Sequence, residues 1–528
     1  MITNLDRITK LIDVNEIQTQ NTYIIDNQKY NISLFFINPD GSFVSVSKNS
    51  VKNLSLYDNV FNPHIKSSIS FVDEADSFQR YVPDVISSEF NENLSLLKGY
   101  NFRGDGRDFL FVQIIPIDSP TSKSINEKGD KFNKTFAYRN IFICIDSEEQ
   151  IIDNQKIKTF NLLDFDEKIL REKKSFFSSS SVVENTKPLF LLSNKEREVE
   201  TGKCIKKLLS DTLNTINDDQ KNIIFTQGED TPDFEDGISK IFYSSPANNS
   251  SYDDLMYLYD KHVSNNSSKD FSILKKENFT GFYYLKSVKN LFDTAYNSDD
   301  SAGFNNFEKI FISGEGSNLD PNNGDKRTPT NANASFGQYG EIQNINFFNT
   351  DSLINSDSLV THSLHSYNYG EKKFNLNKNN SDISNAKNTF TENYVKNMKG
   401  DSNNPHPNLV LNETKSTNKS FKNIFSLYGD NDNIILGESL NKLLKTSIVT
   451  NLAAEITLKG QIFRKSGKFI SIERDGNYND NLFDDKFLGI YFILNIEHNF
   501  INDTQFNNKI LAVKTYIYRD PKFNEQIL

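Results

Sequence analysis

Histidine, cysteine and carboxylate are the side chains with the most recognisable chemistry here, and their spacing decides what they can do. Of six histidines, His362 and His365 stand three apart, so a helix would carry both on one face, and His406 could complete a zinc-type site. That stretch reads as loop, however, and no acidic residue stands at a diagnostic ligand spacing. His498 follows a strongly apolar strand pattern and reads as a structural hydrogen-bond donor at a turn. Cys144 and Cys204 form no metal or redox motif; each lies on an apolar stretch and reads as a buried free thiol in a reducing cytoplasm. With 70 Asp and Glu, a glycosidase-type carboxylate pair can always be drawn, and any one drawn is arbitrary. Gly99 to Gly106 (GYNFRGDG) lacks the strand–turn–helix setting of a phosphate loop and reads as a hairpin turn. There is no GxSxG, P-loop or HExxH. Catalytic, cofactor-binding and metal residues are therefore all assigned as none, and neither a cofactor nor an enzymatic activity is expected.

The elements that would position any site are mostly strands. NISLFFI, SVKNLSLYDNV and KSSISFV are rich in β-branched and aromatic residues, and Asn38-Pro39-Asp40-Gly41 and Asn62-Pro63 punctuate them as turns. FLFVQIIPI, NIFICI and KIKTFNLLDF extend the β pattern from about Phe109 to Asp166, and Ser178 to Ser181 reads as an exposed loop or flexible break. A helix begins at Thr201, its plausible cap, with Ile205, Leu208, Leu209 and Thr212 on one face. A clearer helix follows Pro246. Ser251 can cap it, Asp253 and Asp254 favour its positive end, and Tyr252, Leu255, Met256 and Tyr259 recur at helical spacing. DFSILKKENFTGFYYLKSVKNLF is a strand pair turning near Asn278 to Gly281.

From about Ser298 to Ser420 Asn, Ser, Asp and Gly dominate, and only KIFIS, EIQNINFFN and the segment around Tyr367 to Phe374 read as ordered. Loops this long are expected to run over a neighbouring subunit or face solvent. The last block combines a helix (Leu440, Leu443, Leu444, Ile448) with a strand (Ile456, Leu458, Ile462), then SGKFISIERD, FLGIYFILNIEHNF and KILAVKTYIY.

Composition bounds the class. A chain of 528 residues is too long for one core, so about three or four domains are expected. Only 36% is hydrophobic, but 43 Phe and 22 Tyr bring the aromatic share to 12%, too rich for disorder. A net charge of -11 argues against an indiscriminate phosphate-binding surface and would suit a wall past which DNA slides. No apolar run reaches the roughly 18 residues of a membrane span. MITNLDRITKLIDV lacks the apolar core of a signal peptide, so assembly inside a cell without membrane insertion is expected.

Three separated segments, in order, resemble the baseplate central hub subunits of contractile-tailed bacteriophages, a family related to the N-terminal region of the type VI secretion spike. The first is the family's aromatic-acidic-(x)₂-Phe-x-Pro segment before a strand ending in an acidic turn, matched by Tyr57, Asp58, Phe61, Pro63 and Asp73. The second is a helix followed by a hairpin, with Phe271, Gly281, Phe282, Ser287 and Leu291 in the family's places. The third is the closing G-x-Y-x-I-x-x-I-x-H strand and its Gly-bearing approach: Gly460, Gly467, Gly489, Tyr491, Ile493, Ile496 and His498. The segment between the second and third stays unmatched.

The expected fold class is α+β, mainly β, with tube-like antiparallel β-barrel domains and small helix-containing domains. The expected division is an arm (1–25), a first barrel unit (26–105), a second, possibly discontinuous one (106–200), a helix-hairpin domain (201–297), an Asn-rich insertion (298–430) and a helix-plus-β domain (431–528). The resemblance implies a structural hub of the virion's tail baseplate, a homotrimer assembled in the host cytoplasm, and the chain's excess acidic charge leads us to expect a net-negative lumen. It would join tail tube or tube-initiator proteins to a central spike, contact baseplate wedge proteins and pass DNA without binding it specifically. The alternative is a tail-associated glycan-binding or glycan-degrading protein.

Overall fold

The computed structural model describes residues 22–25, 28–37, 43–46, 48–73, 109–116, 138–183, 198–213, 234–264, 272–276, 283–288, 290–291, 308–312, 342–348, 362–368, 373–379, 453–474, 487–502 and 505–514. The N-terminal alternating segments form β1 (Thr22–Ile25), β2 (Gln28–Ile37), β3 (Phe43–Ser45), β4 (Val51–Asn59), β5 (Lys66–Val72), β6 (Phe109–Pro116), β7 (Tyr138–Ile152) and β8 (Gln155–Asp164). β7 runs well past NIFICI. Asp153 and Asn154 then take positive φ, 50° and 63°, and turn the chain directly into β8, a conformation Asp and Asn tolerate better than most residues.

A helical layer follows: α1 (Phe165–Glu172), β9 (Val199–Glu200), α2 (Thr201–Leu213), β10 (Lys240–Ile241), α3 (Ser251–Lys261) and the hairpin β11 (Ser272–Lys276) with β12 (Tyr283–Ser287). All four residues predicted for the inner face of α2 are buried, as are Leu255 and Tyr259 of α3. Ile205, Leu208, Leu209, Leu255 and Tyr259 share one core with Leu170, Leu258, Leu274, Tyr283 and Leu285. The cap of α3 is Ser250 rather than Ser251, because the Ser250 side chain and Asp253 exchange hydrogen bonds with each other's backbone. Thr201 lies in the first turn of α2, and its hydroxyl bonds Ser239 and His262 instead of capping. The serine run is a packed 3₁₀ turn, not a flexible break: Ser179 is buried and accepts from Tyr243 N at 2.9 Å.

The remaining strands are β13 (Glu308–Ile312), β14 (Ile342–Phe348), β15 (His362–Asn368), β16 (Lys373–Asn379), β17 (Ala453–Lys459), β18 (Phe469–Arg474), β19 (Gly489–Ile501) and β20 (Gln505–Lys514). β15 and β16 pair as a hairpin, so His362 and His365 share neither a helix face nor a loop. Ile462 is buried but lies beyond β17. The expected turns at Gly99–Gly106 and Asn278–Gly281, the helix around Leu440–Ile448, and His406, Phe271 and Phe282 fall outside the described residues.

One 14-stranded sheet dominates, in the order β1-β2-β6-β7-β8-β5-β4-β19-β20-β17-β14, with β3 on β2, and β18 joining β19 to β13. The fold is therefore α+β and mainly β. The blocks 26–105 and 106–200, expected as separate barrel units, interleave in this sheet: β2 pairs with β6 and β5 with β8. Alternation had indicated which face is buried, and it carries no information about which strand lies alongside. Strand pairing among the described residues closes no barrel. The sheet instead curls until its β2 end meets the β19–β20 hairpin. There the Tyr30 hydroxyl donates to Gly460 O at 3.3 Å and its ring packs edge-on against Phe506. Phe500 and Phe506 thus sit in the same core as Leu34, Leu56, Ile69, Val112 and Phe160. Among the described residues no helix is long and apolar enough to cross a membrane.

Candidate functional site

The sheet contains the same arrangement twice. β6-β7-β8-β5-β4 and β18-β19-β20-β17-β14 are antiparallel runs of five strands with matching order. In the first, β7 carries a bulge between Cys144 and Asp146, and seven pairs follow, Asp146↔Asn161 to Ile152↔Gln155. In the second, β19 carries a bulge between Ile493 and Asn495, and again seven pairs follow, Asn495↔Leu511 to Ile501↔Gln505. The outer strands agree as well. β4 shifts register between Val51 and Asn53, and β14 between Ile342 and Asn344, each opposite the same step of its neighbour. A bulge inserts one residue at a defined place and sharpens the local bend, so two coincident bulges mean two units of like curvature. The units join where β4 pairs antiparallel with the post-bulge half of β19, from Asn495↔Asn59 to Ile501↔Asn53.

A buried polar network pins this junction to the helical layer. Asp58, on β4, forms an ion pair with Lys275 of β11 and accepts from Ser466 N at 2.9 Å and Ser466 Oγ at 2.8 Å. Lys275 also donates to the carbonyls of Asn59 and Asn62, both at 2.9 Å. Burial would raise the Asp58 carboxyl, but the Lys275 charge and the donors from Lys275 and Ser466 outweigh it and hold it below its ordinary value. One residue on, Lys276 reaches Asp166 at 2.7 Å and Asp164 at 3.1 Å. Desolvation opposes its charge, and the two carboxylates overcome that and raise its pKa. Asp164 also caps α1 and accepts from Asn140 at 2.8 Å.

The network ends on α1 and α3. Tyr283 OH contacts His64 Nε2 at 2.7 Å and donates to Asp166 at 3.2 Å. Burial, reinforced by Lys276, pushes His64 down to about 3, so the ring is neutral. Glu167 is raised by burial although Arg171 bonds it at 2.7 Å, and Arg171 lies 3.9 Å over the Tyr252 ring. Asp58, Lys275, Asp164 and Glu167 are buried and each has a charged partner, with Lys276 and Asp166 half-buried beside them and Arg171 exposed at the edge, so the network ties β4 and β11 to α1.

The first and third resembling segments meet here. Beside Asp58, Phe61 packs on the core shared with Phe469 and Phe492, and Pro63 O accepts from Lys276 N at 3.0 Å. Asp73 pairs with Lys158 at 3.3 Å. Gly460 leaves room for Phe506, since a Cβ there would lie 2.2 Å from the ring, and Gly467 takes φ +82° in the turn that delivers Ser466. His498 lies within β19, not at a turn. Its Nδ1 meets the Asn508 amide at 2.8 Å, and burial pushes it down to about 4. Lys275, Lys276 and Ser466 are the central residues that sequence reasoning did not single out. The one signal for the two lysines is a Lys-Lys pair closing an otherwise apolar strand, and Ser466 has none. Cys144 and Cys204 are both buried and not joined in a disulfide, and burial, with Glu200 nearby, pushes Cys204 up to about 12. No cluster of metal-ligating residues occurs among the described residues.

No family model matches the chain, and no curated protein matches it. Among solved structures, it is similar to the tail protein from Neisseria meningitidis MC58, with TM-score 0.45, 8% identity, and coverage of 92% of this chain and 96% of that chain. It is also similar to the 43 kDa tail protein of prophage MuSo2 from Shewanella oneidensis, with TM-score 0.41, 7% identity, and coverage of 92% and 98%. A chain of the half-lidded Francisella PdpA–VgrG complex gives TM-score 0.42 at 11% identity, covering 97% of this chain and 63% of that one. Likeness at this level concerns the course of the chain alone and carries nothing about what it binds.

Proposed function

We propose that this protein is the structural hub of a phage tail baseplate, three copies forming a ring that joins the tail tube to the central spike and passes DNA through its lumen. The observation that carries this reading is the duplicated five-strand unit with its coincident bulges. A chain with two units of like curvature in one continuous sheet can present six from three copies, so a three-fold ring can match a six-fold tube. On this reading the two tube-like units are Phe109–Asp164 with β4 and β5, and β14 with Ala453–Lys514, and the helical layer braces their junction. The three hub-like sequence segments support the same assignment, with tube or tube-initiator, spike and wedge proteins as partners. The place of action is the virion tail, after assembly in the host cytoplasm. No catalytic step is required. The glycan-cleft alternative would need open acidic and aromatic residues. Asp164, Glu167 and Tyr283 are instead buried, and Asp164, Asp166 and Glu167 are committed to ion pairs with Lys276 and Arg171, whose guanidinium lies over the Tyr252 ring. A reconstruction of the assembled tail tests the reading. Three copies on the axis between tube and spike are expected, and six copies, one copy or an off-axis position would overturn it.

A further inference from the structure

The repeat is unfinished at both of its outer edges. Within one chain, the post-bulge half of β19 carries β20 on one side and β4 on the other. The matching half of β7, Asp146–Ile152, pairs with β8, and no other strand adjoins it among the described residues. The strand that matches β4 is β14, which ends the sheet order at the opposite extreme. We propose that β14 of one copy pairs antiparallel with the post-bulge half of β7 in a second copy, repeating between chains the β4–β19 junction found within each. This rests on the ring reading above and names its seam.

The register follows from the two pairs of bulges. Carrying the junction across strand by strand replaces Leu54↔Phe500 by Ile345↔Ile151, Asn53↔Ile501 by Asn344↔Ile152, and Ser55↔Asn499 by Asn346↔Gln150. Side-chain chemistry agrees with that register. Ile151 is 76% and Ile152 48% exposed, which leaves an apolar strand end in water that a paired edge would cover. Ile342, Ile345 and Phe347 are only half-buried, whereas their equivalents Val51, Leu54 and Leu56 are buried beneath the junction. Phe348 at 40% matches exposed Tyr57 at 38%, as expected for a residue on the outer face of the seam. β14 carries no charge, so no like charges meet; the same register sets Glu149 and Glu148 opposite Phe347 and Phe348, and Glu149 is already paired with Lys156 at 3.1 Å. Each copy offers one such edge and accepts another. The contact is therefore head-to-tail, and rotation at the seam decides whether copies close into a ring.

The test is cysteine cross-linking of the purified full-length chain. The pair Ile151→Cys with Ile345→Cys places thiols on directly opposed positions, and the native Cys144 and Cys204 are buried and give little background. Oxidation should move most of the protein into covalent oligomers ending at three chains. The pair Ile151→Cys with Asn346→Cys, slipped by one residue onto the other face, should stay monomeric on a non-reducing gel. Native mass spectrometry of the unmodified chain is run in parallel. A trimer by mass whose designed pair fails to cross-link overturns the seam and leaves the ring reading standing. Cross-linked chains of open-ended length overturn the three-fold ring and keep the seam. Monomers that do not cross-link, or equal cross-linking by the slipped pair, overturn the seam and its register.

Discussion

Asp58 depends on Lys275 to stay charged in the interior. Removing the cation in Lys275→Met strands a carboxylate that is 1% exposed, so a loss of about 3–5 kcal/mol is expected. Adding Asp58→Asn to that variant should recover a good part of it; calorimetric melting of the two single variants and the double checks the coupling. Two histidines supply a second expectation. His64 is held near 3 and His498 near 4, against 6.5 when free, so below pH 6.5 the unfolded chain binds protons that the folded chain refuses. Stability from this source is complete above pH 6.5 and falls as pH drops toward 4, by about 1.4 kcal/mol per pH unit for each histidine. Melting temperature against pH should fall less steeply in His64→Gln than in the parent between pH 6 and 4.5. Asp58 adds a further loss only below its ordinary 3.8. Asp58 was legible in the sequence through its neighbours Tyr57, Phe61 and Pro63. Lys275 and Ser466 were not, because a partner 217 or 408 residues away leaves no local trace and a lysine on a strand reads as solvated.

Among the elements, α3 offers a direct comparison of buried and exposed faces. Leu255→Ala removes a fully buried side chain from the core of the helical layer and should cost about 2–5 kcal/mol. Asp253→Ala removes only the reciprocal half of an exposed capping box and should cost about 1 kcal/mol. Equal costs in denaturant titration would mean that the helix faces are assigned wrongly. Gly460→Ala should destabilise the closing turn more than an exposed substitution does, because its methyl group meets the Phe506 ring rather than space. Most strands and both predicted helices in the described residues were readable from alternation and spacing, since burial of one face imposes that period. The strand order and the duplication were not. Val51, Leu54 and Leu56 match Ile342, Ile345 and Phe347 only in being apolar, and bulges carry no residue signature.

At the scale of the whole molecule, the first unit's core is finished by the last hairpin. Phe500 and Phe506 stack on each other with centroids 3.8 Å apart and fill space beside Tyr30, which is bonded across 430 residues to Gly460. A chain truncated before β19 should therefore lose more than its second unit. Limited proteolysis is expected to cut within Tyr30–Asp164 of the truncated chain at sites protected in the full one, and retained protection would contradict the shared core. The same arrangement sets an order of events on the ribosome. Strands β2 to β8 emerge early, yet the side chains that complete their interior leave the exit tunnel among the last, so the nascent sheet must wait open, its aromatic lining uncovered, until translation has almost ended. The time that the growing polypeptide spends in that state lengthens with every residue inserted between the two halves, which makes the long intervening segment a burden on biogenesis, and makes chaperone demand during synthesis, rather than final stability, the quantity it changes most.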